Sequence, residues 1–316
     1  MVQENSLSKV LVICGATASG KTALAVECAK NFNGEVVSAD SMCIYRGLDI
    51  GTAKPTEEEK QGIPHYMIDV AGAKDNFSVG DYKERASLIL KDILSRGKLP
   101  IICGGTGFYI NSLLFDLSYG NAPADNFVRT KYVDYYKKNG KQALYDLLVE
   151  KDPETAYKLH VNDVKRVSRA LEILEISGKK KSEIKDDLTP RYDYRSFAID
   201  FPREVLYDRI NKRVDIMMND GLLDEVRGLL DSGVTRDCQS MQGIGYKEAA
   251  DGFENGLSEN EIAETIKFNT RHYAKRQITF FKRDERLKLL SPKEKNGFLD
   301  EIYKELQKQG NYGNIK

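Results

Sequence analysis

Short, unbroken apolar runs alternate along this chain with stretches in which apolar residues recur every three or four positions, the two patterns that separate strands from helices. Residues 9–14 (KVLVIC), 35–38 (EVVS) and 99–103 (LPIIC) are of the first kind and rich in β-branched side chains. Because they are continuous rather than alternating, they suit strands of a parallel sheet buried on both faces. Between them one helical pattern opens near Lys21, and another spans 78–95 with Val79, Tyr82, Ala86, Ile89, Leu90 and Ile93 on one side. Strands separated by helices predict an α/β core of βαβ units.

From about residue 121 to 195 the strand signal stops and amphipathic helices follow. One opens at Asp152 and Pro153, an N-cap followed by a first-turn proline, and another runs over 163–177 and closes at Gly178. Residues 196–201 (SFAIDF) read as one more core strand, and Pro202 starts a helix carrying Leu206, Ile210 and Val214. A last long helix begins at Ser258, where Ser258 and Glu261 have capping-box spacing, and runs to about 283. The expected organisation is therefore a core begun by 1–120, an all-helical insertion over 121–195, and a return to the core over 196–316 with a basic C-terminal helix. The tail after Asp284 carries no readable pattern.

The 316 residues are 41% hydrophobic and 30% charged, the balance of a globular protein with a sizeable core, which excludes disorder, collagen and coiled coil for the whole chain. Lys plus Arg equals Asp plus Glu at 48 each, so only the local distribution of charge speaks about partners. No apolar run approaches the ~20 residues that span a bilayer, and the opening MVQENSLS lacks a signal peptide's apolar region, so a cytoplasmic protein is expected. The five cysteines, at 14, 28, 43, 103 and 238, are scattered without a C-x-x-C pair, which speaks against disulfides and zinc. Cys14 and Cys103 read as small buried hydrophobes. His65, His160 and His272 lack metal-ligand spacing.

The first strand runs straight into Gly15, Ala16, Thr17, Ala18, Ser19, Gly20, Lys21 and Thr22, which fits G-x-x-x-x-G-K-[ST] with a helix-compatible stretch behind it. Glycines let successive amides and the positive helix end converge on phosphate oxygens; Lys21 adds a charge and the Thr22 hydroxyl suits Mg²⁺. The pattern predicts a P-loop NTPase-like, nucleotide- or ATP-binding type of sheet and a bound di- or triphosphate. It does not name the bond broken. A kinase or ATPase would carry an apolar strand ending in Asp, whereas 99–103 ends in Gly104, Gly105 and Thr106; the nearest such carboxylate is Asp40.

The loop, the segment DSMCIYR at 40–46, DIGTAKP at 49–55 and the Gly-Gly-Thr turn, in this order, together resemble the tRNA dimethylallyltransferase (isopentenyltransferase) family. The likeness continues through KRVSR at 165–169, GIGY at 243–246 and RHYAKRQ at 271–277, so it spans about residues 9–283. It matches the short bacterial form: no cysteine follows Cys238, so the zinc-finger extension of eukaryotic members has no counterpart.

That resemblance implies transfer of a dimethylallyl group from its diphosphate to the exocyclic N6 amine of adenosine 37, just 3′ of the tRNA anticodon. The loop amides, Lys21 and Mg²⁺ would neutralise the departing diphosphate, and by resemblance Thr106 and Arg213 contact the donor. Arg213 reads equally well as a solvated helix arginine. The adenine amine is a poor nucleophile, and a carboxylate can take its proton; the family's base matches Asp40. An Asp here also fits a helix cap or an outer ligand to Mg²⁺. By the same resemblance the tRNA is met by Asp40, Ser41, Met42 and Cys43, by Lys165, Arg166, Val167, Ser168 and Arg169, by Gly243, Gly245 and Tyr246, and by Arg271, Lys275, Arg276 and Gln277.

The residues themselves support a nucleic-acid footprint. Residues 267–283 hold Lys267, Arg271, Lys275, Arg276, Lys282 and Arg283 and no acid. At 100° per residue, Lys267, Arg271, Lys275 and Lys282 form a stripe about 80° wide, apart from a face of Ile262, Ile266, Tyr273 and Phe280. Such a stripe is unfavourable by roughly 0.2–0.5 kcal/mol per i,i+4 pair unless a polyanion meets it. Lys165, Arg166 and Arg169 form a smaller cluster opposite Val164, Val167, Leu171 and Leu174. The lysines at 179–181 follow Gly178 and are explained by the helix dipole. Two alternatives remain: a prenyltransferase for free adenylate, which needs no basic helix, and a P-loop kinase, which needs a nucleoside triphosphate.

Overall fold

The computed structural model describes residues 7–117, 125–292 and 297–307. The chain divides into two compact units, Met1–Leu114 with Pro190–Lys316, and Phe115–Thr189.

The first unit contains β1 (Lys9–Cys14), α1 (Lys21–Asn31), β2 (Gly34–Ser38), α2 (Glu57–Lys60), β3 (His65–Tyr66), α3 (Val79–Ser95), β4 (Leu99–Gly104) and α4 (Gly107–Leu114). The second contains β5 (Phe115–Asp116), α5 (Asn126–Lys151), α6 (Pro153–Tyr157), α7 (Val164–Ser177) and, at its end, β6 (Asp187–Pro190). The chain then resumes the first unit with β7 (Asp193–Ile199), α8 (Arg203–Asn219), α9 (Leu222–Asp231), α10 (Tyr246–Glu254), α11 (Glu259–Phe281), β8 (Leu287–Leu290) and α12 (Phe298–Gln307).

Six strands form a parallel sheet in the order β3-β2-β4-β1-β7-β8. Val10, Leu11, Val12 and Ile13 of the central β1 are fully buried, as the unbroken apolar run predicts. Leu11 and Ile13 pack with Leu24 and Cys28 of α1 and with Ile302 and Leu306 of α12, while Val10 and Val12 face the other way by the alternation of a strand. From β1 the chain builds toward β3, returns through β4, and then crosses to β7 on the far side of β1. The carboxyl ends around β4, β1 and β7 thus border a topological switch point, where open α/β sheets place ligands.

Three expectations are corrected. The helical insertion begins at 115 and ends at 189 rather than at 121 and 195, because the Arg191 amide donates to the Leu114 carbonyl (2.8 Å) and closes the first unit where the chain leaves and re-enters it. The last core strand starts at Asp193, not 196, since its register pairs Asp193 with Lys9, and it stops at Ile199 ahead of Pro202. The tail after Asp284 supplies an edge strand and a covering helix.

The second unit is helical, with β5 and β6 as a two-stranded sheet too short to leave a periodic signal. Gly140 (φ 80°) breaks α5 into two segments that pack on α7 through Val128, Tyr132, Leu144, Leu148 and Leu171. Asp152 caps α6 and also accepts from the Ser182 amide and hydroxyl, which ties down the loop after α7.

Candidate active site

The phosphate loop is built as its glycines predict. Gly15 (φ 122°) and Gly20 (φ 87°) adopt backbone angles that favour glycine, and α1 starts at Lys21. Three side chains brace the loop: Lys21 Nζ donates to the Ala16 carbonyl (2.6 Å), Arg209 Nε donates to the Ala18 carbonyl (2.8 Å), and the Thr17 amide donates to Gln277 Oε1 (2.8 Å). Burial lowers the Lys21 pKa from its ordinary range, and nearby Arg213 adds to that fall.

Asp40 follows β2, and its Oδ1 accepts the amides of Met42 (2.8 Å) and Cys43 (3.4 Å). This turn fixes the carboxylate and leaves Oδ2 without a hydrogen bond among the described residues. The Gly-Gly-Thr turn lies directly alongside. The Thr106 amide donates to the Ala39 carbonyl (3.0 Å), and the Ser41 amide donates to Thr106 Oγ1 (3.0 Å). A Cβ on Gly104 would stand 2.1 Å from the Ala39 carbonyl oxygen, so only glycine lets the two turns approach.

Two cavities open beside these turns. The smaller, about 100 Å³, is lined by Lys21, Thr22, Asp40, His65, Arg213 and Gln277 among others. The larger, about 280 Å³, adds an apolar wall of Ile210, Val214, Met217, Ile244 and Ile266. Thr17, Asp40, Thr52, Ala53, Arg213 and Tyr273 border both. Burial, with help from Arg209, lowers the Arg213 pKa, as expected of a half-buried cation that has no ion-pair partner among the described residues. His65 Nδ1 lies 2.8 Å from the Ile63 carbonyl and so carries the proton in the neutral ring; burial lowers its pKa.

The structure thus brings together Lys21, Thr22, Asp40, Ser41, Met42 and Arg213 from the sequence-derived set. Thr106 is adjacent, with its hydroxyl engaged by Ser41 and donating to Ser41 Oγ (3.3 Å).

Several residues expected to meet tRNA are buried or packed by neighbours, although Cys43 and Gln277 line the smaller cavity and Gly243 and Gly245 the larger. Gln277 is 5% exposed, and its carboxamide also donates to the Gly105 carbonyl (2.9 Å). Tyr246 is fully buried, with its hydroxyl donating to Glu225 (2.5 Å). Cys43 is buried, and Val167 belongs to the apolar core of the second unit. Gly243 packs on Met42, and Gly245 (φ 96°) turns the chain into α10. Arg169 pairs with buried Glu172 (2.9 Å), while Lys165 and Arg166 stay exposed and Ser168 is half-buried.

The charge stripe on α11 is partly compensated, contrary to its sequence reading: Lys267 pairs with Asp215 (2.7 Å) and Glu264 (2.9 Å), and Arg271 donates to Asn211 (2.7 Å). Lys275 and Arg276 are exposed and make no ion pair among the described residues. Tyr273, assigned from periodicity to a packing face, lines both cavities; burial pushes its phenol up. Its spacing of four from Gln277 is the signal that both point toward the phosphate loop.

A tRNA dimethylallyltransferase of Bacillus anthracis is 49% identical over 276 residues, which cover 87% of this chain and 88% of that protein. The crystal structure of the full-length tRNA isopentenylpyrophosphate transferase from Bacillus halodurans superposes with a TM-score of 0.71 at 40% identity, covering 95% of this chain and 97% of that one. A eukaryotic dimethylallyltransferase acting on tRNA gives 0.76 at 31% identity over 90% of this chain and 74% of that one. The IPP transferase sequence family matches residues 43–284, from the turn after Asp40 through the end of α11, and the chain belongs to that family.

Proposed function

We propose that this protein transfers a dimethylallyl group from dimethylallyl diphosphate to the N6 amine of adenosine 37 in the anticodon stem-loop of tRNA. The observation that carries this reading is the position of Asp40. Asp40 borders both the cavity holding Lys21 and Thr22 and the cavity with the apolar wall, so a base and the leaving-group cations line adjoining cavities.

In the reaction the bond from C1 of the prenyl group to the diphosphate oxygen breaks, and its electron pair leaves with the diphosphate. The N6–C1 bond forms, and the N6 proton passes to Asp40 Oδ2. Lys21, Arg213 and the loop amides stabilise the growing charge on the diphosphate. Thr106 acts on the donor through the turn it shares with Ser41. The apolar wall excludes water from the allylic cation character that develops at C1.

The residues fit Mg²⁺. Thr22 offers a hard hydroxyl oxygen in the cavity it shares with Lys21, and no group of three acidic, histidine or cysteine side chains among the described residues forms a cage. That suits an ion that takes most of its ligands from phosphate and water. Bound there, it supplies Lewis-acid neutralisation of the diphosphate. Exposed Lys275 and Arg276, and Lys165 and Arg166 on the second unit, supply phosphate contacts for the RNA. With tRNA as acceptor, we place the reaction in the cytoplasm; no helix among the described residues is long and apolar enough to cross a membrane.

The test incubates the protein with Mg²⁺, labelled dimethylallyl diphosphate, and either unmodified tRNA or AMP. Label entering tRNA alone supports the proposal. Label entering AMP, or phosphoryl transfer from ATP with the prenyl donor untouched, overturns it.

A further inference from the structure

We infer that Glu225, a residue of α9 that borders neither cavity, is a positioning residue of the transfer step, its carboxylate holding the wall the two cavities share. This inference rests on the transferase reading above.

Three successive amides converge on this side chain. Glu225 Oε2 accepts those of Asp49 (3.0 Å) and Ile50 (2.9 Å), and Oε1 accepts that of Gly51 (3.2 Å). Successive amides pointing into one concavity form an anion-binding nest, and here the anion is built into the protein. Oε1 also accepts the hydroxyl of Tyr246 (2.5 Å), a residue fully buried beneath the loop. Burial first, then the Glu225 charge, pushes the Tyr246 phenol up, so it stays a donor.

Gly51 is needed for this arrangement, because a Cβ there would stand 2.5 Å from the Tyr246 ring. The residues immediately after the nest, Thr52 and Ala53, border both cavities. One carboxylate thus joins the 49–55 segment, α9 and the Gly-Ile-Gly-Tyr turn behind the place where donor and acceptor must meet. Losing it frees the loop to shift, and a displacement of about 1 Å at reacting groups lowers rates by about 100-fold. Diphosphate binding, held by Lys21 and the phosphate loop, is left in place.

The variants are Glu225→Gln, which keeps the size but turns an NH₂ group toward backbone donors, and Glu225→Ala, which empties the nest. Asp224→Asn, an exposed neighbour on the same helix, is the control. Three quantities are read: single-turnover prenyl transfer to tRNA, the KM for tRNA, and the affinity for Mg²⁺-pyrophosphate by calorimetry. We expect transfer by both Glu225 variants to fall by about 100-fold, pyrophosphate affinity to stay within about threefold, and formate or acetate to restore the Ala variant but not the Gln variant. The control should match wild type.

Wild-type rates in both Glu225 variants would overturn the inference. So would a parallel collapse of pyrophosphate affinity, or absence of carboxylate rescue in a variant that folds with wild-type circular dichroism. If the wild-type protein itself moved no label to tRNA, the transferase reading would fail instead.

Discussion

Gln277 holds Thr17. Its Oε1 accepts the Thr17 amide at 2.8 Å, while its Nε2 donates to the Gly105 carbonyl at 2.9 Å. One buried carboxamide near the end of α11 therefore bridges the phosphate loop and the Gly-Gly-Thr turn. The fit is close on that side, since a Cβ on Gly105 would stand 2.1 Å from Nε2. Gln277→Glu replaces the donor with an oxygen facing a carbonyl, and Gln277→Leu leaves a buried amide and a buried carbonyl unpaired. Each lost partner costs about 1–3 kcal/mol. Both variants should unfold several degrees earlier by calorimetry and bind Mg²⁺-pyrophosphate more weakly. A wild-type melting temperature would reject the bridge.

Asp40 separates shape from basicity. In Asp40→Asn, a carbonyl oxygen can still accept the Met42 and Cys43 amides, so the turn should persist while the proton acceptor is gone. Transfer should fall by about 10²–10⁴-fold, the range for losing a general base, with tRNA affinity changed little. Asp40→Ala loses the turn as well and should be worse in both respects. Equal activity of Asn and wild type in single-turnover assays would remove Asp40 from the proton path.

Glu35 makes the core sensitive to acid. It is 1% exposed and accepts two bonds from Arg96 (2.7 and 2.6 Å), one from Lys98 (2.6 Å) and one from Tyr66 (2.9 Å). Arg96 first, then Lys98 and Tyr66, outweigh the opposing effect of burial and hold the carboxyl at about 2, below the ordinary 4.5. A group whose folded pKa is depressed contributes stability above its ordinary value and loses it as pH falls through the folded one. Thermal stability should therefore decline between about pH 5 and pH 2. Glu35→Gln should flatten that decline while lowering the melting temperature at pH 7. A slope unchanged by the substitution would assign the acid sensitivity elsewhere.

Legibility of the fold and site follows the range of the interactions. The strands β1, β2 and β4 could be read because burial on both faces makes them uniformly apolar. The capping boxes of α3 and α11 and the Gly178 stop of α7 are equally local. Two-residue strands such as β3 and β5 leave no period. The edge strand β8 follows a helix without a flanking repeat, and its place is set by pairing with β7. In the site, the phosphate loop is contiguous and declares itself. Gln277 and Gly105 are 172 positions apart, and Glu225 reaches the 49–51 amides over about the same span, so their roles exist only once the sheet has formed. The same limit applies to the charge stripe on α11, where Lys267 and Arg271 have partners in the free protein. Periodicity finds which residues share a face, but Asp215, the partner that neutralises Lys267, comes from another helix.

That difference between Lys267 and the cations further along α11 yields a salt test. Lys275 and Arg276 are exposed and without ion pairs among the described residues, with the Arg276 guanidinium over the Tyr273 ring (5.7 Å), so phosphates of a bound RNA would break no ion pair there. Each phosphate contact contributes roughly 0.7–0.9 to the slope of log affinity against log salt. The double variant Lys275→Ala with Arg276→Ala should therefore weaken tRNA binding and reduce the slope by about one to two, measured between about 50 and 300 mM KCl. Lys267 already faces Asp215 and Glu264, and releasing it for RNA would break pairs that exist in the free protein. Lys267→Ala should leave the slope unchanged and alter stability by less than about 1 kcal/mol, the scale of exposed pairs. If Lys267→Ala lowered the slope as much as either exposed residue does, the whole stripe would engage RNA and the ion pairs of Lys267 would have to open on binding.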